Sequence, residues 1–214
     1  MHSLNMGNNN SRNNYFNGHY EDPSLVIEPY VYLGGASINQ NPKLANSYGI
    51  THILNMASDQ APNMHLFGNP NIKYKHIPAD DVLNYNIRYH FEEAFEIIDD
   101  ARRTNGRILV HCTMGISRSA TIVIAYLMSR YNMSLRSAYD YVRSKRSIVA
   151  PNSLFLKLLQ DYENELRTSV QREYIERKRQ FPAKKQNLQN GFMNNISINS
   201  SGNFKRPVKS YAFI

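Results

Sequence analysis

The chain has 214 residues and a formal net charge of +8 at pH 7, enough sequence for one sizeable globular domain with flanking segments but not so much that two domains are required. Its single cysteine excludes an intramolecular disulfide, which favours a reducing compartment. The longest apolar stretch, residues 120–128, is far shorter than a membrane span, and the N-terminus has no apolar run typical of a signal peptide. We therefore expect a soluble intracellular protein.

The positive charge is concentrated at the C-terminal end. Residues 169–214 carry nine Lys or Arg and two Glu, a balance of +7, so that residues 1–168 carry only +1. This distribution argues against a folded domain that binds nucleic acid. The cluster Arg177-Lys178-Arg179 fits a nuclear import signal, an anionic-surface contact or a docking segment for an acidic partner, and it equally fits a solubilising extension. We expect a cytoplasmic or nuclear location, or both.

The first elements in chain order are short. Residues 1–23 are rich in Asn and Gly without apolar periodicity, which predicts disorder. The composition of residues 26–33 predicts short β-strands that are interrupted by Pro29 and end at Gly34-Gly35. A helix over 42–47 with Gly49 as its C-cap follows, and then strands over 50–56 and 71–77.

The second half is mostly helical. An apolar stripe predicts a helix over residues 86–103, and a short β-favouring run predicts a buried strand over 107–110. A helix over 119–131 comes next, and Ser134 has the position of an N-cap for another helix over 135–144. Pro151-Asn152-Ser153 opens a last helix that we expect to end near Leu166, before a basic, disordered tail over 169–214.

The loop between the 107–110 strand and the 119–131 helix contains the only cysteine, Cys112, and an arginine six residues later. Amides of a strand-to-helix loop bind anions, and the same field with a neighbouring cation favours a thiolate. Arg118 can clasp two phosphate oxygens, and Gly115 permits a backbone conformation that a side chain would obstruct. A lone cysteine is more often a small buried hydrophobe. The spacing of Cys112, Gly115 and Arg118 instead predicts a phosphate-binding catalytic loop.

The run His111-Cys112-Thr113-Met114-Gly115-Ile116-Ser117-Arg118-Ser119, with the apolar helix after it, resembles the signature of the dual-specificity protein phosphatases of the cysteine-dependent protein tyrosine phosphatase superfamily. The resemblance implies that Cys112 is the nucleophile of a cysteinyl-phosphate intermediate and Arg118 the phosphate clamp. It implies that Ser119 helps the sulfur to leave, and that His111 orients the loop and tunes the thiol. The phosphate loop would comprise Thr113, Met114, Gly115, Ile116, Ser117 and Arg118.

The resemblance covers residues 24–168 and implies a fold. It points to one α/β catalytic domain of the protein tyrosine phosphatase-like type, with a central mainly parallel sheet of about four to five strands flanked by helices. The implied activity is removal of phosphate from phosphotyrosine and from phosphoserine or phosphothreonine. The implied partners are phosphorylated proteins, with mitogen-activated protein kinases among the candidates. The segment before residue 24 is too short for the kinase-binding domain of the larger family members, so the chain looks like a small atypical member.

No cofactor is implied by the resemblance, and the seven histidines show no ligand spacing that would support a metal site.

Dephosphorylation also needs a proton donor for the leaving oxygen and then a base for the attacking water. Residues 78–85 contain two adjacent candidates, Asp80 and Asp81. Alignment of the following helix with the family pattern favours Asp81 as the general acid, while Asp80 remains the alternative. Either could instead be an ordinary turn or capping aspartate.

Residues 143–152 resemble a family segment that lies near the catalytic loop. The resemblance implies that Asn152 holds this loop by hydrogen bonds. We expect Arg146 to meet a second phosphate or an acidic substrate side chain, or else to be a solvated surface charge.

The variable positions of the loop differ from those of other phosphatases in the superfamily. Phosphoinositide phosphatases tend to have lysines there, whereas Thr113, Met114 and Ile116 are uncharged. RNA 5′-phosphatases of the superfamily have His and Asn where this chain has Met114 and Ser117. A non-catalytic phosphoprotein-binding module is disfavoured because each catalytic role has a residue to fill it.

Overall fold

The structure is a computed structural model that describes residues 22–41, 43–61 and 69–180. Within these residues one sheet has the strand order β1-β2-β5-β3-β4. Its strands are β1 (Ser24–Ile27), β2 (Val31–Gly34), β3 (His52–Ala57), β4 (Lys73–Ala79) and β5 (Ile108–His111). Strands β1 and β2 are antiparallel, and the other neighbouring strands are parallel. The expected mainly parallel α/β sheet is therefore confirmed.

Helices lie on both sides of this sheet. They are α1 (Ser37–Gln40), α2 (Lys43–Ser47), a 3-10 helix (Ile87–His90), α3 (Phe91–Arg103), α4 (Arg118–Arg130), α5 (Leu135–Lys145) and α6 (Ser153–Gln180). The helix predicted over 42–47 corresponds to α2, although Pro42 itself lies outside the described residues. Gly49 has a φ of 64° after α2, which is the left-handed conformation expected of a C-cap.

The apolar core is divided by the sheet into two clusters. Successive side chains of a strand point to opposite faces, so Ile108 and Val110 of β5 enter the larger cluster while Leu109 enters the smaller one. The larger cluster contains the buried stripe of α3 that the sequence predicted. Helix α4 is buried from Arg118 to Met128. A helix enclosed on all sides is rigidly placed, and its first residue is the predicted phosphate clamp.

The C-terminal ends of two predicted elements are wrong, and the helix predicted from residue 86 begins as the 3-10 helix before α3 starts at Phe91. Strand β4 continues through Pro78 to Ala79 instead of ending at residue 77. This is possible because β4 is an outer strand, where a missing backbone N–H can face away from the ladder.

The last helix continues past Leu166 to Gln180, the last residue that the structure describes. Residues 153–180 contain no Gly or Pro, and ion pairs one turn apart, Lys157 with Asp161 and Glu163 with Arg167, support the helix. Residues 169–180 are therefore helical, where the sequence predicted the start of a disordered tail. The disorder predicted for residues 1–21 and 181–214 falls outside the described residues. Among the helices that the structure describes, none is both long and apolar enough to cross a bilayer.

The N-cap of α5 gives a test of this architecture. The Ser134 hydroxyl accepts a hydrogen bond from the Ser137 amide at 3.1 Å, as the sequence predicted. Replacing Ser134 with Ala should lower the free energy of unfolding by about 1 kcal/mol, because an orphan amide of the first turn loses its acceptor. Urea denaturation measures the change. Ser134→Asp should retain most of the stability, and equal stability of wild type and Ser134→Ala would contradict the assignment.

Candidate active site

The loop of residues 112–117 joins the carboxyl end of β5 to the N-terminus of α4. Gly115 in this loop has a φ of 69°, and a Cβ built on it would lie 2.5 Å from the carbonyl carbon and oxygen of Gly34. Such a contact is far inside van der Waals distance, so only glycine fits. The end of β2 thus lies directly against the loop, and the conformation that the sequence assigned to Gly115 is present.

The peptide carbonyls of this loop are bonded to the surrounding protein, away from the Cys112 sulfur. The donors are Ala36 N for Thr113 O (3.0 Å), Arg146 Nη2 for Met114 O (3.1 Å), Arg146 Nε for Gly115 O (3.0 Å) and Ala150 N for Ile116 O (3.0 Å). Because a peptide group points its N–H opposite to its carbonyl, this arrangement turns the amides inward. The Gly115 amide shows the direction, since it donates to Cys112 Sγ at 3.3 Å. Inward-facing amides form an anion-binding concavity.

Arg146 has a different place from the one that the sequence predicted. Arg146 is only 3% exposed. Its guanidinium donates to the loop carbonyls and also to the Asp22 carbonyl at 3.2 Å. Because Arg146 is buried, the prediction that it contacts a second phosphate or an acidic substrate side chain is wrong, and so is the alternative of a solvated surface charge. Burial lowers the pKa of Arg146, and the carbonyl acceptors offset the cost of removing its charge from water.

Cys112 is 2% exposed and lies at the base of the loop. Besides the Gly115 amide, its Sγ accepts a hydrogen bond from the Ser119 hydroxyl at 3.2 Å. Two donors directed at one sulfur stabilise negative charge on it. The same hydroxyl can stabilise that charge again when the sulfur departs from phosphorus.

His111 precedes the cysteine and is fully buried. Its Nδ1 lies 3.3 Å from the Cys112 carbonyl oxygen, and because a carbonyl only accepts, Nδ1 carries the proton. Burial lowers the pKa of His111 to about 4. The ring is therefore neutral near pH 7, and it acts on the loop through a backbone hydrogen bond rather than through a positive charge.

Both Nη atoms of the Arg118 guanidinium donate hydrogen bonds to neighbouring residues. Nη1 donates to Asp59 Oδ1 at 2.7 Å and to the Ala79 carbonyl at 3.1 Å, and Nη2 donates to Thr113 Oγ1 at 2.8 Å. Within the described part of the chain, the buried Nε has no hydrogen-bond partner. The Nε hydrogen and the second hydrogen of Nη2 therefore form the edge that can clasp an anion, in the bidentate geometry that arginine favours.

Asp59 is a site residue that the sequence reasoning missed. Asp59 follows the end of β3, and β3 is the neighbour of β5 in the sheet. Its carboxylate also accepts a hydrogen bond from the Thr113 hydroxyl. Burial acts to raise the pKa of Asp59, but the hydrogen bonds from Arg118 and Thr113 outweigh it and lower this pKa. The sequence does contain a signal for Asp59, because it follows a predicted strand, and the carboxyl ends of neighbouring parallel strands meet at one edge of a sheet.

The two adjacent aspartates point to different places. Asp81 Oδ1 accepts from the Ser117 hydroxyl and from Asn152 Nδ2, both at 2.8 Å, and Asp81 Oδ2 lies 3.8 Å from Arg118 Nε. Asp80 accepts a hydrogen bond from the Ser58 hydroxyl. Asp81 is thus the aspartate that lies beside the phosphate loop.

Asn152 reaches the loop as well. Its backbone amide donates to the Ser117 hydroxyl at 3.3 Å, while its side chain donates to Asp81. The sequence placed Asn152 beside the loop but did not indicate its bond to Asp81.

The chemistry of the site suits a tetrahedral anion. In the part of the chain that the structure describes, no three His, Cys, Asp or Glu side chains converge to hold a metal ion. The converging groups are amides, a buried guanidinium, a sulfur and a carboxylate. Together they can bind a phosphoryl group, attack it and exchange a proton with its leaving oxygen.

Comparison with known proteins gives the family. The family "Dual specificity phosphatase, catalytic domain" matches residues 31–165. Dual specificity protein phosphatase 1 of Arabidopsis thaliana is 41% identical over 150 residues, which cover 70% of this chain and 73% of that protein. Human dual specificity protein phosphatase 6 is 43% identical over 148 residues, which cover 67% of this chain but only 38% of that protein.

The fold comparison agrees. The crystal structure of a mouse putative dual specificity phosphatase complexed with zinc tungstate superposes with a TM-score of 0.64 at 27% sequence identity, covering 78% of this chain and 97% of that one. The catalytic-domain match spans more than half of this chain and includes the Cys112 loop, Asp59 and Asp81. The chain therefore belongs to the dual specificity protein phosphatase family, whose members are hydrolases.

Proposed function

We propose that this protein hydrolyses phosphotyrosine and phosphoserine or phosphothreonine in proteins through a cysteinyl-phosphate intermediate on Cys112. One observation carries the proposal: the Cys112 sulfur lies in a loop whose carbonyls from Thr113 to Ile116 are bonded to the surrounding protein, and the Gly115 amide donates to that sulfur. The Nε and Nη2 edge of Arg118 belongs to the same site, where Nη2 donates to Thr113 Oγ1 of the loop and Nε has no hydrogen-bond partner among the described residues. A phosphoryl group bound by these donors would be presented to the sulfur.

In the first step the Cys112 thiolate attacks phosphorus and the bond from phosphorus to the substrate oxygen breaks. Arg118 and the inward amides stabilise the charge on the phosphoryl oxygens during transfer. Asp81 gives its proton to the leaving oxygen, which departs as a neutral hydroxyl. The products of this step are the dephosphorylated side chain and phosphorus bonded to sulfur.

In the second step water attacks the cysteinyl phosphate. The Asp81 carboxylate accepts a proton from that water, inorganic phosphate is released, and the thiolate is regenerated. Ser119 donates to the sulfur at 3.2 Å, a contact that supports a role in stabilising the departing thiolate. His111 stays neutral and supports the loop through the Cys112 carbonyl.

The substrates that we propose are phosphorylated proteins, with mitogen-activated protein kinases as the first candidates on the ground of the family resemblance. The loop surface offers no lysine for the additional phosphates of an inositol lipid, and Met114 at its rim is apolar and 64% exposed. We propose a cytoplasmic or nuclear location, with the basic C-terminal segment as an import signal.

The nucleophile is tested with a generic aryl phosphate. The purified protein should release phosphate, and Cys112→Ser should reduce turnover to the uncatalysed level, because a hydroxyl at this position is not ionised. A phosphate-release assay measures the rate, and thermal unfolding checks that the variant is folded. Turnover that persists in Cys112→Ser, or no turnover in the wild type, would leave a phosphoprotein-binding module as the better interpretation.

The general acid and the substrates are tested together. Asp81→Ala should lower kcat on phosphoproteins by roughly 100-fold or more while binding persists, since proton donation is lost but the phosphate loop remains. This variant should therefore trap substrates in a pull-down, and mass spectrometry identifies them. Asp80→Asn is the matched control and should retain kcat within about 2-fold, because Asp80 bonds to Ser58. The reverse ranking of the two variants would reassign the acid to Asp80.

The contact between Asp59 and Arg118 gives a further prediction. Asp59→Asn weakens the hydrogen bond that Arg118 Nη1 donates to residue 59, so the Nε and Nη2 edge of Arg118 is less well oriented. We expect kcat/KM for an aryl phosphate to fall about 10-fold. Steady-state kinetics measure the change. A fall in KM with unchanged kcat would instead mean that the Asp59 carboxylate competes with the phosphoryl group for Arg118.

A further inference from the structure

The side chain of Asn152 makes two hydrogen bonds with different partners. Its Oδ1 accepts from the Phe155 amide at 2.9 Å, which caps the N-terminus of α6. Its Nδ2 donates to Asp81 Oδ1 at 2.8 Å. One planar amide therefore connects the start of the last helix to the loop that carries the proposed general acid.

Asp81 needs such a connection because its own loop holds it weakly. It follows an outer strand, its side chain is 33% exposed, and the residues after it, Val82 and Leu83, are 46% and 67% exposed. An acid that must meet a leaving oxygen has to stay within hydrogen-bond reach of it. The hydrogen bonds that reach the Asp81 carboxylate come from outside this loop, from Ser117 and Asn152.

The far end of Asn152 is well anchored. The capping bond to the Phe155 amide fixes the plane of its side-chain amide. The first turns of α6 are fixed in turn by Phe155 and Leu159, which are both 0% exposed in the larger apolar cluster. The Nδ2 hydrogens are thus presented from a rigid element to a loop, which is the arrangement that holds a functional group in place.

The two oxygens of Asp81 have different surroundings. Oδ1 is occupied by Asn152 Nδ2 and by the Ser117 hydroxyl. Oδ2 is turned toward the Arg118 side of the site, 3.8 Å from Nε. With Oδ1 acting as an acceptor from two donors, the transferable proton belongs on Oδ2, the oxygen beside the phosphoryl site.

We propose that Asn152 is a positioning residue for proton transfer: its side-chain amide holds Asp81 so that Oδ2 faces the leaving oxygen. The inference rests on the proposed function, in which Asp81 is the general acid. The backbone amide of Asn152, which donates to Ser117, is retained in every side-chain variant. Substitution of the side chain therefore leaves the bond to Ser117 in place and affects only the bond to Asp81 and the cap on the Phe155 amide.

The test uses Asn152→Ser, because a serine hydroxyl can still cap α6 but is too short to reach Asp81. Two substrates are compared. Nitrophenyl phosphate has a leaving group that departs readily as an anion, whereas the phenol of phenyl phosphate requires a proton. We expect kcat/KM to fall about 10-fold for phenyl phosphate and by less than about 2-fold for nitrophenyl phosphate. Equal losses for the two substrates, or no loss for either, would overturn the proposal.

A double-mutant cycle on phenyl phosphate then ties the effect to the carboxylate. In an Asp81→Ala background, Asn152→Ser should cause no further loss, because the residue that it positions is absent. Losses that multiply would show that Asn152 acts independently of Asp81 and would overturn the proposal. Ser134→Ala is the matched control for a missing helix cap and should show wild-type leaving-group dependence.

The same experiment separates this inference from the proposed function. If Asp81→Ala shows no leaving-group-dependent loss, the assignment of the acid fails, and the positioning role of Asn152 fails with it. If Asp81→Ala shows the loss and Asn152→Ser does not, the proposed function stands and only the positioning role is overturned.

Discussion

The site depends on the direction of a few peptide groups. Between β5 and α4 the loop carbonyls are bonded outward, and Arg146 takes two of them with a single buried guanidinium. If these carbonyls faced the sulfur instead, their partial negative charge would repel both a thiolate and a phosphoryl group. The buried guanidinium of Arg146 is therefore as much a part of anion binding as Arg118, because it sets the direction of the loop peptides. Gly115 completes the arrangement, because its contact with Gly34 leaves no room for a side chain.

The side chains of Arg118 and Asp81 are restrained by residues that come from separate elements. Asp59, after β3, holds one edge of Arg118, while Asn152 and Ser117 hold one oxygen of Asp81. These restraints leave Arg118 Nε and Asp81 Oδ2 3.8 Å apart, and they are the atoms to which the proposed mechanism assigns contact with the phosphoryl group and the leaving oxygen. The parallel strands explain this convergence, since their carboxyl ends deliver loops to one edge of the sheet, and the N-termini of α4 and α6 meet those loops there.

Much of this could be read from local patterns. The stripe of α3, the apolar α4 and the short β5 strand each have a period or composition that predicts one element type, and the spacing from Cys112 to Arg118 predicts the phosphate loop. The predictions that failed depended on surroundings that no local pattern contains. Pro78 remains in a strand because β4 is at the sheet edge, and Arg146 is buried because loop carbonyls lie within its reach.

The sequence by itself determined the strand-loop-helix unit around Cys112, the family to which the chain belongs and the identity of the chemical groups. These follow from residues close together in the chain, whose spacing fixes what they can do. Only the tertiary structure decided which carboxylate lies beside the loop, that Asp59 anchors Arg118, and that Asn152 contacts Asp81 across 71 positions of the chain. The physical reason is that a hydrogen bond depends on distances of about 3 Å between groups whose separation along the chain carries no information about their separation in space.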